Sequence, residues 1–509
     1  MEPSRLTSPA PSPTMRGTLL VWKAWSRAME FEIVIGFEVH TELKTNSKVW
    51  CGCATHFGAP PNTQVCPVCL GMPGTLPVLN REAFHLALKT ALALHCDVPP
   101  VTTFDRKNYY YPDLPKNYQI SQNDKFLGKD GYIDIDLGEA GSKRIGIDNI
   151  HLEEDAGKNI HPEGRGHDYS LVDLNRAGTP LLEIVTKPDL RSKAEAAAFM
   201  NSMRSFLEYL DVSECKMQEG RLRFELNMSL RPKGSDKLGT KVEVKNLNSM
   251  SVVLKCIDAE YERQSELLMK GEKVLPETRL WDEDKAVTRA MRSKERANDY
   301  RYFPDPDLVD VEVSEELRRE IGALVPELPL ARKTRFMENY NLPPYDAGVM
   351  TGSLAMASYF ERAVKAHNSP KGICNWIMTQ AMAWLNNAPE DTTIDQYPIK
   401  AEAMAELVKL IEAGTITGKI AKEQVYPIMV ETGKMPSMIV EEKGLKPVDD
   451  SALDPIIDEV LAANAKAVEE IKAGKDKAIG AIVGQVMKKT GGKANPATLT
   501  PLIRKKIGV

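Results

Sequence analysis

Between residues 151 and 186 the chain reads HLEEDAGKNIHPEGRGHDYSLVDLNRAGTPLLEIVT, and residues able to do chemistry crowd there. Glu153, Glu154 and Asp155 are consecutive and are closed by Gly157 and Lys158. The apolar run 169–185 then carries Asp173, Asn175, Arg176 and Glu183. A run that apolar is expected to be buried, and a buried carboxylate must be paired, hydrogen-bonded or metal-bound, because desolvating it alone is too costly. A neighbouring Arg or Lys explains one such residue. Several in one segment point to a site for a divalent cation and a polyanion.

Strands are needed to bring partners to that segment, and three stretches alternate with period two. In 221–230 the even positions are apolar, while Arg221, Arg223, Glu225, Asn227 and Ser229 share the other face. In 33–43, Ile33, Ile35, Phe37 and Val39 oppose Gly36, Glu38, His40 and Glu42. In 240–246, Val242 and Val244 oppose Lys241, Glu243 and Lys245. Each strand alone is an ordinary half-solvated member of an antiparallel sheet. Together the polar faces could hold Mg²⁺ on hard oxygen ligands while Arg and Lys clamp phosphate, a combination suited to phosphoryl transfer. The sequence has no GxxxxGK[ST] loop, kinase signature set or GxSxG elbow, so a nucleotide site must be built from the sheet and its carboxylates.

Cys51 and Cys53, then twelve residues, then Cys66 and Cys69 form the sharpest local motif. Two close pairs of thiolates fit tetrahedral zinc with no open position, a structural site pinning residues 50–71; an iron–sulfur cluster is the second choice. His56 is a possible substitute ligand and is better explained as a surface residue. Cys96, Cys215, Cys256 and Cys374 are expected to be buried and inert.

Two stretches suggest nucleic acid. Residues 105–122 mix Arg106, Lys107 and Lys116 with Tyr109, Tyr110, Tyr111 and Tyr118, and aromatics between bases can stack on exposed nucleotides. Tyrosines packed beneath a Pro-rich loop explain the same pattern. Residues 471–509 hold nine Lys/Arg and one Asp, net +8, and Ile479, Ile482, Val483, Val486 and Met487 have helical spacing. A folded basic module in an otherwise acidic protein suits a phosphate backbone.

The whole chain has 509 residues, net charge −5, 42% hydrophobic and 27% charged residues, which implies two to four soluble domains. No apolar stretch approaches the roughly 20 residues that span a bilayer. Segment 1–29, with four prolines and a single acid, reads as a disordered extension or upstream start, and less well as an organellar presequence. Residues 30–325 read as α+β with an antiparallel sheet and helices at 81–95, 193–209 and 249–270. Helical patterns follow at 330–340, 352–366, 373–387, 400–413, 422–432 and 454–473, the last starting on Asp454 as N-cap with Pro455 behind it. Pro436 and Pro447 flank a boundary, giving a helical domain 326–435 and a basic helical tail 436–509.

Seven segments carry a resemblance. GFEVHTEL at 36–43, DRKNYYYPDLPKNYQISQ at 105–122, HLEEDAGK at 151–158, SLVDLNRAGTPLLEIV at 170–185, ELNMSLRP at 225–232, KVEVKNLNS at 241–249 and DYRYFPDPDL at 299–308 are similar to the B subunits of bacterial aspartyl/glutamyl-tRNA amidotransferases. The match runs from about residue 29 to the C-terminus. It implies a glutamine-synthetase-like cradle, then a helical domain, then a tail that holds tRNA.

It also implies a reaction. ATP with Mg²⁺ phosphorylates the side-chain carboxylate of Glu or Asp on misacylated tRNA, and ammonia displaces the phosphate to leave the amide. The ammonia comes from glutamine hydrolysed on an A subunit, and a small C subunit clasps the two in the bacterial cytoplasm. Consistently, the chain offers no evident glutaminase nucleophile. Glu38, His40, Glu154 and Glu183 are the expected Mg²⁺ and phosphoryl-transfer residues, with Glu153, Asp155 and Glu225 as further candidates. Arg223, Lys245 and Arg176 are assigned to phosphates, and Asn175, Asn227 and Asn246 to the aminoacyl end. Cys51, Cys53, Cys66 and Cys69 make this chain look like a zinc-carrying member. A non-catalytic, zinc-stabilised tRNA- or ribosome-binding protein is the alternative.

Overall fold

The computed structural model describes residues 30–162, 169–291, 300–389, 392–445, 450–472, 477–490, 494 and 496–508. Segment 1–29, Pro447 and parts of the basic stretch 471–509 lie outside the described residues. The chain forms two compact units, one ending at Leu330 and one running from Ala331 to Val509. The first is mixed α+β and the second helical.

In chain order the strands are β1 (Phe31–Glu42), β2 (Val101–Thr102), β3 (Asp105–Asn108), β4 (Tyr118–Ser121) and β5 (Gly128–Asp136). Then come β6 (Ser142–Glu154), β7 (Lys158–Ile160), β8 (Leu171–Asp173), β9 (Pro180–Thr186) and β10 (Leu222–Pro232). The last are β11 (Val242–Lys245), β12 (Glu277–Asp282), β13 (Val287–Ala290), β14 (Phe303–Pro304) and β15 (Val311–Glu312). Eight of them form one sheet in the order β13-β12-β11-β10-β1-β9-β6-β5. Its pairs are antiparallel except β11 with β12. Helix α3 (Met250–Met269) supplies the long crossover that a parallel pair requires.

Helices α1 (Arg81–Ala93) and α2 (Lys193–Tyr209) join α3 in covering the apolar face. Phe37 of β1 stacks on Phe199 of α2 at 5.3 Å and meets Phe224 of β10 edge-on. Burying a side chain of this size contributes about 1.5–3 kcal/mol. The helix starts follow from sequence: Ser192 Oγ accepts from Glu195 N at 3.1 Å, and Ser249 Oγ accepts from Val252 N at 3.2 Å. Each cap is worth about 1 kcal/mol. Alternating Ile35, Phe37 and Val39 are fully buried on the helix side, so the opposite residues of β1 must face away from the core.

The expected buried run 169–185 needs correction. Tyr169 and Leu171 are exposed, and continuous burial begins only at Ala177. Residues 171–173 instead form β8, which pairs with β7 in a separate two-stranded sheet.

In the second unit, Pro329–Tyr340, Leu354–Ala366 and Ala401–Glu412 match expected helices. The expected helices 373–387 and 422–432 are interrupted by π-helical turns at Ile377–Ala381 and Ala421–Val425. The second turn precedes Pro427, which has no N–H to return to the turn before it. Phe336, Phe360, Met404 and Met429 share a core with Ile439 and Val440 of helix Pro436–Glu442. The expected tail boundary at 436 therefore falls inside this core.

A smaller core joins Leu453, Ile457, Ile482, Val486 and Ile503. Here helix Asp450–Ala463 starts ahead of Asp454, leaving Pro455 within it. Leu453, 1% exposed, packs in the core and outweighs the local cap signal. The Asp454 carboxylate instead pairs with Lys506 at 3.0 Å. No helix among the described residues is long and apolar enough to cross a membrane.

Candidate active site and metal centre

The site lies on the polar face of β1 and its neighbours. Register brings the parts together: Glu38 sits opposite Glu225, and His40 lies between Arg223 of β10 and Glu183 of β9. His151 of β6 lies across from Glu183. The apolar residues between them lock this register, because a one-residue slip would turn the whole polar row into the core.

Two groups of potential metal ligands result. His40, Glu153 and Glu183 place ligand atoms within 4.8 Å of one another, and all three are buried to a large degree. His40 Nε2 is 3.2 Å from Glu183 Oε2 and 3.9 Å from Glu153 Oε1. His151 Nε2 also lies 3.2 Å from Glu183, and Lys107 Nζ lies 3.8 Å from Glu153. Burial works against charge on His40, but Glu183 overrides it and lifts the imidazole to about 9. Burial likewise opposes ionisation of Glu183, yet His40 and His151 hold it well below the usual carboxylate range.

The second group is Glu38, Glu225 and Glu243, again within 4.8 Å. Asn227 Nδ2 donates to Glu38 at 2.9 Å, and Lys245 Nζ lies 3.1 Å from both Glu225 and Glu243. Burial, reinforced by Glu183, raises the Glu38 carboxyl. Burial pushes Glu225 upward too, but His40 and Lys245 bring it below its ordinary value. His40 Nδ1 and Asn227 Oδ1 are buried without a hydrogen-bond partner among the described residues. A carboxylate-rich set with one imidazole and spare polar atoms fits a hard divalent cation such as Mg²⁺.

Other expected residues fall nearby or elsewhere. Asp155 joins the polar face, bonded to Arg223 NH1 at 2.9 Å and 3.5 Å from Arg176 Nε. Arg176 also donates to the carbonyls of Ala156 and Gly157. Glu154 is not brought into either group. It alternates to the other side of β6, where it pairs with Lys116 and accepts from Ile120 N at 2.8 Å. Asn175 is tied to the cysteine segment, accepting from Gln64 N at 2.8 Å and donating to Pro60 O at 2.7 Å. Asn246 is exposed and donates to Trp281 O at 3.3 Å.

Within 105–122 the cations are held by acids: Arg106 by Asp305 and Asp307, Lys107 by Glu153, Lys116 by Glu154. Tyr109 is half-buried, whereas Tyr110 is exposed.

Cys51, Cys53, Cys66 and Cys69 lie together in a knuckle with their sulfurs within 4.8 Å, an arrangement able to hold a metal ion. Cys51 donates to the Cys69 sulfur and lowers that thiol, while the same contact raises Cys51 itself. A ready thiolate is what a metal needs. His56 is exposed; Cys215, Cys256 and Cys374 are buried, and Cys96 is half-buried.

Sequence reasoning left Glu243, His151, Lys107 and Glu42 out of the site. Glu243 and Glu42 sit on the same period-two faces as chosen residues, and His151 alternates with Glu153 and Asp155, so a local signal existed. Lys107 gave none, because its position depends on β3 pairing with β4, which in turn packs against β6. Burial and Asp155 push Glu42 up to about 7.

Comparison with known proteins gives the family. Residues 33–319 match the GatB/GatE catalytic domain family, and residues 358–507 match the GatB domain family. The B subunit of the aspartyl/glutamyl-tRNA(Asn/Gln) amidotransferase of Moorella thermoacetica is 53% identical over 484 residues, covering 94% of this chain and 100% of its own length. That of Carboxydothermus hydrogenoformans is 50% identical over 480 residues, covering 94% and 99%. This chain therefore belongs to the family of aspartyl/glutamyl-tRNA(Asn/Gln) amidotransferase B subunits.

Proposed function

We propose that this protein is the carboxylate-activating subunit of an ATP-dependent carbon–nitrogen ligase that uses glutamine as amido donor. It converts Glu-tRNA(Gln), Asp-tRNA(Asn) or both to the amide forms used in translation. The observation that carries this reading is the two groups of acidic residues on one sheet face, the first buried and the second half-buried. A non-catalytic RNA-binding protein has no use for them and would bear their desolvation cost for nothing.

His40, Glu153 and Glu183 would hold one Mg²⁺, and Glu38, Glu225 and Glu243 are placed to hold another. Bound there, Mg²⁺ would supply charge neutralisation for phosphoryl transfer to the substrate carboxylate. Asp155 keeps Arg223 and Arg176 on the same face, and Lys245 stands between two carboxylates; these cations orient phosphate oxygens. Asn227 fixes Glu38. A sheet with acids on one face and helices on the other supports a glutamine-synthetase-like cradle.

The four cysteines form a closed structural zinc site, since four thiolates leave no position for a substrate. Ammonia arrives from a glutaminase A subunit, with a small C subunit completing a cytoplasmic heterotrimer. The basic tail meets the tRNA backbone. Substituting Glu183→Gln in the complex should abolish ATP consumption that depends on misacylated tRNA, while glutamine hydrolysis by the partner persists. Full tRNA-dependent ATP consumption by this variant would defeat the proposal.

A further inference from the structure

Against the cysteine knuckle lies a cavity of about 90 Å³, lined by Cys51 and Cys69 together with Lys48, Lys116, Glu154 and Gly178. The charged groups of its wall do not cancel. Lys116 pairs with Glu154, which also accepts from Ile120 N. That leaves Lys48, whose side chain is fully buried. Its ammonium donates to the Leu174 carbonyl at 3.3 Å and forms no ion pair with a carboxylate among the described residues. One neutral carbonyl replaces little of the hydration that a buried ammonium gives up.

The cysteines are beside it. A methyl group added to Gly178 would stand 3.5 Å from Lys48 Cδ and 3.7 Å from Cys69 Cβ, so the two side chains converge on one point. The Lys48 charge reaches the Cys69 sulfur there, adding to the hydrogen bonds from Cys51 and from Cys66 N. The sulfurs of Cys51, Cys53, Cys66 and Cys69 lie within 4.8 Å of one another. Four thiolates around one divalent ion leave two negative charges, and a site so charged and partly buried is costly without a cation nearby.

We propose that Lys48 is the built-in counter-charge of the knuckle metal site, a cation just outside the ligands that raises the affinity of the four thiolates for a divalent ion. Metal loading and Lys48 burial then support each other, because each supplies the charge that the other lacks. The effect also reaches inward. Lys48 N donates to Cys53 O and Val49 N to Gly178 O, both at 2.9 Å, so knuckle, Lys48 and the turn 174–178 that carries Arg176 are fastened together. This inference rests on the reading of the four cysteines as a zinc site.

On the full-length chain, Zn²⁺ affinity can be measured by competition with a chromophoric chelator, and unfolding followed with and without bound Zn²⁺. Lys48→Met should bind Zn²⁺ about 10–100-fold more weakly, the range for partners one shell out from a metal. The Zn²⁺-loaded variant should unfold below loaded wild type. The metal-free variant should be at least as stable as metal-free wild type, because methionine removes an unbalanced charge. Lys48→Gln can still donate to Leu174 O; it should lose affinity to the same extent, and it carries the test if Lys48→Met does not fold. The visible spectrum of the Co²⁺-loaded variants should match wild type, since the four ligands are unchanged. Wild-type Zn²⁺ affinity in Lys48→Gln would overturn the inference. So would an equal loss of stability in loaded and metal-free protein, which would assign Lys48 to Glu154 or to the Leu174 carbonyl. A wild-type chain that binds neither Zn²⁺ nor Co²⁺ would defeat the zinc reading itself, and this inference with it.

Discussion

The two units bury different kinds of residue. In the first, Glu153, Glu154, Asp155, Glu183, Glu260 and Lys48 are buried beside a continuous apolar core. In the second, the buried polar residues among those described are Lys333, Thr351 and Thr490, and the cores are otherwise Ala, Met, Ile, Val, Leu, Phe and Tyr with Cys374. Burying charge costs stability unless each group is paired, so a fold accepts it where the charge is used. The contrast separates a unit that gathers buried carboxylates on one sheet face from one whose charges, Lys333 apart, stay at the surface among the described residues, available to a polyanion.

The largest effect that could break this comparison is loss of a ligand in the first group. His40→Ala should lower tRNA-dependent ATP consumption by at least about 100-fold, since even partners one shell out from a metal cost 10–100-fold. A rate assay with unchanged partner glutaminase checks it. Activity near wild type would mean that the buried acids serve stability alone.

Glu260 tests the opposite role in the same unit. It is fully buried, bonded to Arg263 at 2.8 Å and to Gln264 at 2.9 Å, with Thr288 and Arg279 alongside. Glu260→Ala should cost about 3–5 kcal/mol in urea unfolding of the first unit, because it strands buried cations. Burial raises the Glu260 carboxyl, but bonds from Arg263, Gln264 and Thr288 hold it below the ordinary 4.5. Its contribution is therefore present above pH 4.5 and lost as pH falls through the lowered value. The gap between wild type and Glu260→Gln should close on acidification; a gap that widens would reverse this sign.

Removing a metal held by the four cysteines should have a smaller, local effect. A chelator should lower the first unit's unfolding temperature by several degrees, with the second unit's transition unmoved. Metal content measured on purified protein should fall in parallel. A chain ending at Leu445 keeps the core formed by Phe336 to Leu445 and removes the smaller basic one. It should bind tRNA more weakly, with a salt slope flatter by about 0.9 for each lost phosphate contact. An unchanged slope would place the polyanion contacts elsewhere.

Much of the sheet was legible because alternation is a local property. The faces read from 33–43, 221–230 and 240–246 are the faces of β1, β10 and β11. The Ser192 and Ser249 caps are local too, although the helices read at 193–209 and 249–270 were placed without naming a cap. Failures came where distant packing overruled a local signal. Asp454 carries a good N-cap pattern, yet Leu453 is drawn into the tail core and the helix starts earlier. Residues 169–176 open the run 169–185 that was read as buried, but β8 pairs with β7 in a two-stranded sheet of its own.

By itself the sequence determined which residue types share a face, where four thiols pair, and which family the chain resembles. Only the tertiary structure decided that Glu153 faces His40 while Glu154 turns to Lys116. In a strand, adjacent side chains point to opposite sides, and only pairing and packing say which side holds the site.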